Sequence, residues 1–558
     1  MTASLAVGFE PLHLWTLLAA ELARSTPTME LRPHAAAFDD LSGSISAAAA
    51  HPCDVIGVVI EWADLDPRLG LRRLGGWQRE RVDDIVQQVD DRLEALAAQL
   101  RAAADVVPVV VCLPSLPLPP LFMQRPAHSG PEEVALRAAV ADFARRLTED
   151  CRIDILSAQR LDLVSPAAQR RNIATELNAG FPYSVSHTAV LAELLAGVLV
   201  PSIPKKGLIT DLDGTLWAGV VGEDGPEALA WDLDSGQQRH GLYQQFLGSL
   251  ASAGVLVGVV SRNDPALAAR ALARSDLAID ADVLFPVRTG WGAKSELIAG
   301  VIDAWNVSAD AVVFVDDSPL DLGEAVAVLP GVHCVRFPQD DAELLPFLDE
   351  LRALFGKRTA TPEDRLRLAS SRQASAYRTA VAKAGGADQR QEFLSHVEGK
   401  IDVDFGERHL RRALELLNKT NQFNLNGRRY SEPALIRALR DRCQELVAIA
   451  YEDRFGPLGT IAALLIERQA DTLVVESWAM SCRALARRIE DHTLHELFRR
   501  FDVTAITLEF AETERNAPLR EFLETVAAGE IGGPIRVERA WCDAHRHRLV
   551  HRVREARG

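Results

Sequence analysis

The feature that most constrains this chain is an alternation of short, continuous apolar runs with longer stretches whose apolar residues recur at helical spacing. In the first 204 residues the runs are 54–60 (DVIGVVI), 106–113 (VVPVVVCL) and 153–156, and helical spacing fills 79–104 and 131–147. Strands without polar alternation are buried on both faces, and helix-length crossovers make them parallel, so the expectation is a doubly wound sheet. After a connector at 201–206 (PSIPKK) the alternation resumes, with runs at 207–209, 255–260 and 311–315. From 358 the chain turns polar and helical, and from about 398 strands are expected near 445–451, 460–466 and 505–510. This divides the chain into an N-terminal α/β domain (1–204), a second α/β domain (205–357), a helical bridge (358–397) and a third α/β domain (398–558). No repeat of fixed period is present.

Composition narrows the class. With 558 residues, a formal charge of −17 and a pI near 5.4, the chain lacks the basic excess that nucleic-acid backbones demand. Its 48% hydrophobic and 25% charged residues are ordinary for buried cores and exclude disorder throughout. The seven cysteines are scattered, odd in number and never spaced CxxC, which argues against a disulfide framework or structural zinc and fits a reducing compartment. The first residues (MTASLAVGFEPLHLW) have no basic leader segment, and the apolar stretch 106–122 is interrupted by prolines. A cytoplasmic location is expected.

The chemistry concentrates in the second block. Asp211-Leu212-Asp213-Gly214-Thr215 directly follows the run GLIT, so two carboxylates stand at the carboxyl end of a strand, where open α/β sheets bind ligands. Covalent phosphoryl transfer needs an anionic nucleophile, here Asp211, and a proton donor for the leaving alkoxide, here Asp213. Carboxylates facing a phosphate repel it, which calls for Mg²⁺ held by hard oxygens; Asp211, Asp213, Asp316 and Asp317 are the candidate ligands. Thr215, Ser261 (in VVSRND) and Lys294 (in WGAKSEL) are candidates to bind the phosphoryl oxygens.

These four elements resemble the motifs of the haloacid dehalogenase superfamily of phosphohydrolases. More narrowly, 211–225 (DLDGTLWAGVVGEDG) is similar to the hallmark stretch of FkbH-like proteins, DLDNTLWGGVVGEDG, with Gly214 in place of Asn and Ala218 in place of Gly. In FVDDSP, Ser318 stands where Asn is usual, and Asp321 and Glu324 are both candidates for the family's following acid. Residues 417–430 (LNKTNQFNLNGRRY), 476–491 (ESWAMSCRALARRIED) and 66–77 (DPRLGLRRLGGW) extend the resemblance over nearly the whole chain.

The resemblance implies a Rossmann-like haloacid dehalogenase core between an SGNH-like N-terminal domain and a GNAT-like C-terminal domain. It implies a bifunctional enzyme of polyketide biosynthesis. Such an enzyme transfers a glyceryl unit from 1,3-bisphosphoglycerate to the phosphopantetheine thiol of an acyl carrier protein and removes the phosphate. Lactyl transfer occurs in relatives. The alternatives are a plain small-molecule phosphatase and a non-catalytic module that binds a carrier protein.

Residues 1–204 contain no GDS-type serine, GxSxG or GxGxxG motif, and Ser184 with His187 reads as local structure. In the third block the turn 483–488 keeps its first Arg but has Ala486 and Arg488 where an acyl-CoA pyrophosphate loop has glycines, which argues against coenzyme A. Cys482, between Ser481 and Arg483 and near Arg487 and Arg488, is the candidate thiolate nucleophile. Lys419, Asn421, Gln422, Arg483 and Asn516 are the candidate residues of an acyl or carrier pocket.

Overall fold

The computed structural model describes the chain apart from residues 1, 27, 33–38, 74–83, 121–124, 126, 201–202, 358–365, 385–393, 421, 442–443, 455, 482–483, 486, 514–515, 528–531 and 556–558. It resolves into two compact units, Met1–Ser202 and Ile203–Gly558.

In the first unit, strands β1 (Thr2–Val7), β2 (Glu30–Arg32), β3 (Val55–Val59), β4 (Val109–Cys112) and β5 (Ile153–Ile155) form a parallel sheet in the order β2-β1-β3-β4-β5. Every residue of β3 and β4 is buried, as their unbroken apolar runs require. Helices Ile85–Ala104 and Pro131–Thr148 cover one face, while Leu12–Ser25 and Val185–Leu199 pack together on the other. Ser184 caps the last of these by accepting the His187 backbone N–H at 3.3 Å.

The second unit begins with another parallel sheet: β6 (Gly207–Thr210), β7 (Leu256–Ser261), β8 (Leu284–Thr289), β9 (Val312–Asp316) and β10 (His333–Arg336), in the order β10-β9-β6-β7-β8. The chain steps outward from β6 through β8 and then crosses back to start β9 on the other side of β6. The carboxyl ends of β6 and β9 therefore flank the switch in strand order, the crevice where such sheets bind ligands.

Within the bridge region the helix Arg367–Ala384 packs on the helix Lys294–Trp305 and on the third sheet. That sheet contains β11 (Lys400–Phe405), β12 (Gln444–Asp453), β13 (Gly456–Gln469), β14 (Thr472–Met480), β15 (Ala505–Leu508), β16 (Ile535–Glu538) and β17 (Arg552–Glu555). Its order is β16-β15-β14-β13-β12-β11-β17, antiparallel except for the parallel pairs β14/β15 and β11/β17. The molecule is thus multidomain α/β. No described helix is long and apolar enough to cross a membrane.

Candidate active site

Three strands of the second sheet each deliver a polar group where they leave the core, and a helix start adds a fourth. Asp211 follows β6, Ser261 ends β7, Asp316 ends β9 with Asp317 next, and Lys294 opens the helix Lys294–Trp305. Asp211, Asp316 and Lys294 are almost fully buried, at 6%, 0% and 2% exposure. Lys294 Nζ lies 2.9 Å from Asp211 Oδ2, 2.5 Å from Asp316 Oδ2 and 3.0 Å from Asp321 Oδ2. Burial works against a charged lysine here, yet Asp211 and Asp316 outweigh it and hold the ammonium pKa above its ordinary value. Lys294 nonetheless faces three carboxylates, of which Asp321 alone has a second cation, Arg262, among the described residues. Burial raises the Asp211 pKa against the pull of Lys294, and burial together with Asp211 pushes Asp316 up to about 7.

That surplus of negative charge suits a cation. One oxygen each from Asp211, Asp316 and Asp317 lies within 4.8 Å of the others, a spacing that can hold a metal ion. Asp211 Oδ1 is buried without a hydrogen-bond partner among the described residues, an acceptor that a bound cation would satisfy. Three hard carboxylate donors fit a divalent ion such as Mg²⁺. Gly214 is built into this geometry: its φ is +69°, and a Cβ there would sit 2.6 Å from Asp317 Oδ2. Thr215 Oγ1 accepts the Asp317 N–H at 3.1 Å and lies 3.3 Å from Asp317 Oδ1, so Thr215 positions the metal carboxylate in this state of the site.

Asp213 differs from its expected metal role. Its Oδ1 accepts from Trp217 Nε1 at 2.8 Å and the Val221 N–H at 3.2 Å, and its Oδ2 accepts from Asn263 Nδ2 at 2.9 Å. The side chain is committed to donors and stands outside the acidic cluster, because the turn Leu212–Leu216 directs it toward Trp217 and Asn263. Oδ2, with a single donor, keeps a lone pair through which a proton can pass.

The two candidates for the following acid divide the work. Asp321 pairs with both Lys294 and Arg262. Glu324 instead accepts from the Ser295 N–H (2.9 Å) and Oγ (2.7 Å), capping the helix that carries Lys294. Asn263, His240 and Gln244 belong to the site without being singled out by sequence. Asn263 donates to both Asp213 and Ser261 Oγ (3.0 Å); it lies two positions after Ser261, and a buried polar side chain beside a strand end is the available signal. His240 Nδ1 lies 2.9 Å from the Thr215 carbonyl, and Gln244 Nε2 donates to the Leu216 carbonyl at 2.8 Å; no local pattern announces either contact.

The third-block candidates separate. Lys419 and Gln422 line one cavity of about 440 Å³ together with Thr420 and Ser481, so the KTNQFN and MSCR stretches meet in space. Its other wall is Lys206, Asn306, Val307 and Ser308, at the amino ends of the second sheet's strands. It therefore opens at the opposite end of that sheet from Asp211, roughly 17 Å away at about 3.3 Å per strand residue. Asn516 instead braces neighbouring loops. Its Nδ2 donates to the Asn424 carbonyl (3.2 Å) and the Ala511 carbonyl (2.9 Å), and its Oδ1 accepts the Thr513 N–H (2.9 Å). Asn421, Cys482 and Arg483 lie outside the described residues.

β14 runs five residues past its last parallel pair with β15, Val475/Leu508. The chain closes that open edge itself. Leu425 N–H donates to the Trp478 carbonyl and Met480 N–H to the Phe423 carbonyl, both at 2.9 Å, and Ala511 N–H donates to the Leu425 carbonyl at 3.0 Å. An extended ligand whose amides would pair with this edge finds it occupied.

No family model and no curated protein matches this chain. Among solved structures it is similar to the N-terminal part of a Bacteroides fragilis protein containing a phosphatase domain, complexed with Mg, at 17% identity and a TM-score of 0.51, over 64% of this chain and 94% of that one. An uncharacterised Corynebacterium glutamicum protein overlaps 27% of this chain and 98% of its own at 21% identity and a TM-score of 0.20, too slight a likeness to build on. The first likeness shows a shared α/β fold.

Proposed function

We propose that the chain is a Mg²⁺-dependent phosphatase that works through a phosphorylated Asp211, and that its substrate is a phosphoglyceryl group carried as a thioester on an acyl carrier protein. The observation that carries the phosphatase half is the Asp211–Asp316–Asp317 cluster with Lys294 bound into it. The Mg-bound phosphatase domain of the Bacteroides fragilis neighbour supports the choice of ion.

A carboxylate oxygen of Asp211 attacks phosphorus; the bond to the substrate alkoxide breaks, and that oxygen takes a proton from Asp213 Oδ2. Water then attacks the aspartyl phosphate, Asp213 recovers the proton, and inorganic phosphate leaves with Asp211 regenerated. The three donors to Asp213 fix the orientation of its carboxyl group toward the leaving oxygen and the attacking water. Lys294 and Ser261 balance and orient the phosphoryl oxygens, and bound Mg²⁺ would neutralise charge between phosphate and carboxylates.

Glyceryl transfer rests on the FkbH-like stretches. A thiolate, either Cys482 or the carrier's phosphopantetheine, attacks the acyl carbon of 1,3-bisphosphoglycerate; the acyl C–O bond breaks, phosphate departs and a thioester remains. The cavity shared by Lys419, Gln422 and Ser481, with Cys482 next in sequence, supports a second centre there. Because that cavity opens at the far end of the sheet from Asp211, the acyl group has to travel between centres, which a carrier's flexible arm permits and a single fixed pocket does not.

The test is intact-mass spectrometry of a phosphopantetheinylated carrier protein incubated with the chain, Mg²⁺ and freshly generated 1,3-bisphosphoglycerate. A glyceryl adduct with the wild type and a phosphoglyceryl adduct with Asp211→Asn support the proposal; loss of all adduct with Cys482→Ala adds the acyl-enzyme. Free phosphate without any adduct reduces the chain to a small-molecule phosphatase.

A further inference from the structure

The first sheet has its own switch in strand order. From β1 the chain moves outward to β2, then starts β3 on the other side of β1 and continues to β4 and β5. A cavity of about 460 Å³ opens at this point, lined by Gly8 and Phe9 just after β1 and by Glu61–Asp64 just after β3. In the second sheet the equivalent crevice holds the Asp211 cluster. The volume falls in the range of small-molecule sites and would admit a ligand of about fifteen to twenty non-hydrogen atoms.

The polar lining divides into groups already satisfied and groups left for a ligand. Glu61 is satisfied: it accepts from Ser115 N–H (3.1 Å) and Oγ (2.6 Å), Leu116 N–H (3.3 Å) and Tyr183 Oη (2.8 Å). Glu176 is paired with Arg171 at 3.1 Å. Asp64 is not filled. Its Oδ2 accepts the Glu61 N–H at 2.7 Å, but its Oδ1 accepts no hydrogen bond among the described residues. That oxygen sits 1.7 Å from where a Cβ on Gly8 would be, so only glycine at position 8 admits it. Burial, reinforced by Glu61 and Asp39, pushes Asp64 up to about 7, so near neutrality it can accept from a hydroxyl or donate to one.

Arg73 lines the same cavity, where Arg72 already interacts with Glu176, and Phe9, Trp62, Leu69 and Leu116 give it an apolar side. A polyanion would meet Asp39 and Asp64, and a simple cation would meet the arginines. A hydroxylated ring with one carboxylate satisfies both sets: hydroxyls on Asp64 and Asp39, carboxylate on Arg73, and the C–H face on the apolar wall. We propose that the crevice between β1 and β3 is a binding site for a polyhydroxy carboxylate of the sugar-acid class, separate from the phosphatase centre.

Isothermal titration calorimetry of the full chain tests this with D-glucuronate as probe, beside glucose and sulfate. The expected result is saturable one-to-one binding of glucuronate, at least about tenfold tighter than either comparator. Asp64→Asn and Arg73→Ala should each weaken it about tenfold or more while thermal unfolding and circular dichroism show the variants folded, and Asp211→Asn should leave it unchanged. No heat up to about 10 mM glucuronate overturns the proposal. So does equal affinity for sulfate, which would mark a bare anion site, or loss of binding in Asp211→Asn with retention in Asp64→Asn. Should Asp64→Asn fail to fold, Arg73→Ala, on an exposed side chain, decides alone.

Discussion

At the scale of single residues, the candidate active site depends on which oxygens are already taken. Among the described residues Asp213 has three donors and Asp211 Oδ1 has none, so two aspartates two positions apart acquire different chemistry from their neighbours. Asp213→Asn should lower phosphate release by about 10²–10⁴, the usual worth of a positioned proton donor, with little change in KM. Asn263→Ala should cost about tenfold in kcat by letting Asp213 and Ser261 drift, measured in the same assay. Gly214→Ala adds a Cβ 2.6 Å from Asp317 Oδ2 at a positive φ, so Asp317 has to move. Its signature is a weaker metal site, with the Mg²⁺ concentration for half-maximal activity raised about 10- to 100-fold.

At the scale of elements, buried polar contacts tie helices to sheets. His187, on the helix Val185–Leu199, bridges Ser115 Oγ (3.2 Å) and Ser165 Oγ (2.8 Å). Burial, and then Arg170, hold its pKa down at about 4. An unfolded histidine titrates near 6.5, so protons bind the unfolded state preferentially below that pH. Stability of the first unit should therefore be complete above about pH 6.5 and fall toward pH 4 by up to roughly 3 kcal/mol. Thermal unfolding across that window should show the decline, and His187→Gln should flatten it. In the second unit Arg487 is buried against Asp453 (3.2 Å) and lies 4.0 Å over the Tyr377 ring, joining the helix Arg367–Ala384 to the third sheet. Asp453→Asn leaves that guanidinium short of its counter-charge and should cost about 3 kcal/mol, read as a drop in denaturation midpoint.

At the scale of the whole molecule, the proposed Mg²⁺ site is assembled only by folding, so at 100 times its Kd the ion should stabilise the chain by about 2.7 kcal/mol. Calorimetry should place that gain in the unfolding of Ile203–Gly558, and Asp211→Asn should abolish most of it. Much of this unit is legible in the sequence. Runs such as GLIT and AVVFV announce parallel strands, and the polar residue ending each run points to the crevice, because a buried strand can expose side chains only where it leaves the sheet. Lys294 is legible from its place at the start of a periodic helical run.

What the sequence by itself determined is the set of chemical groups and the ends of the strands that carry them, since both follow from local periodicity. What only the tertiary structure decided is which groups meet. Asn263 and Asp213 are 50 positions apart, and Thr215 and Asp317 are 102 apart. The same holds for the withdrawal of Asp213 from the acidic cluster and the diversion of Glu324 to a helix cap. It holds too for the closure of the β14 edge by Phe423–Leu425, and for the crevice that Gly8 opens to Asp64. Hydrogen-bond partnership is set by distance and direction across the folded chain, and a one-dimensional pattern of residue types carries neither.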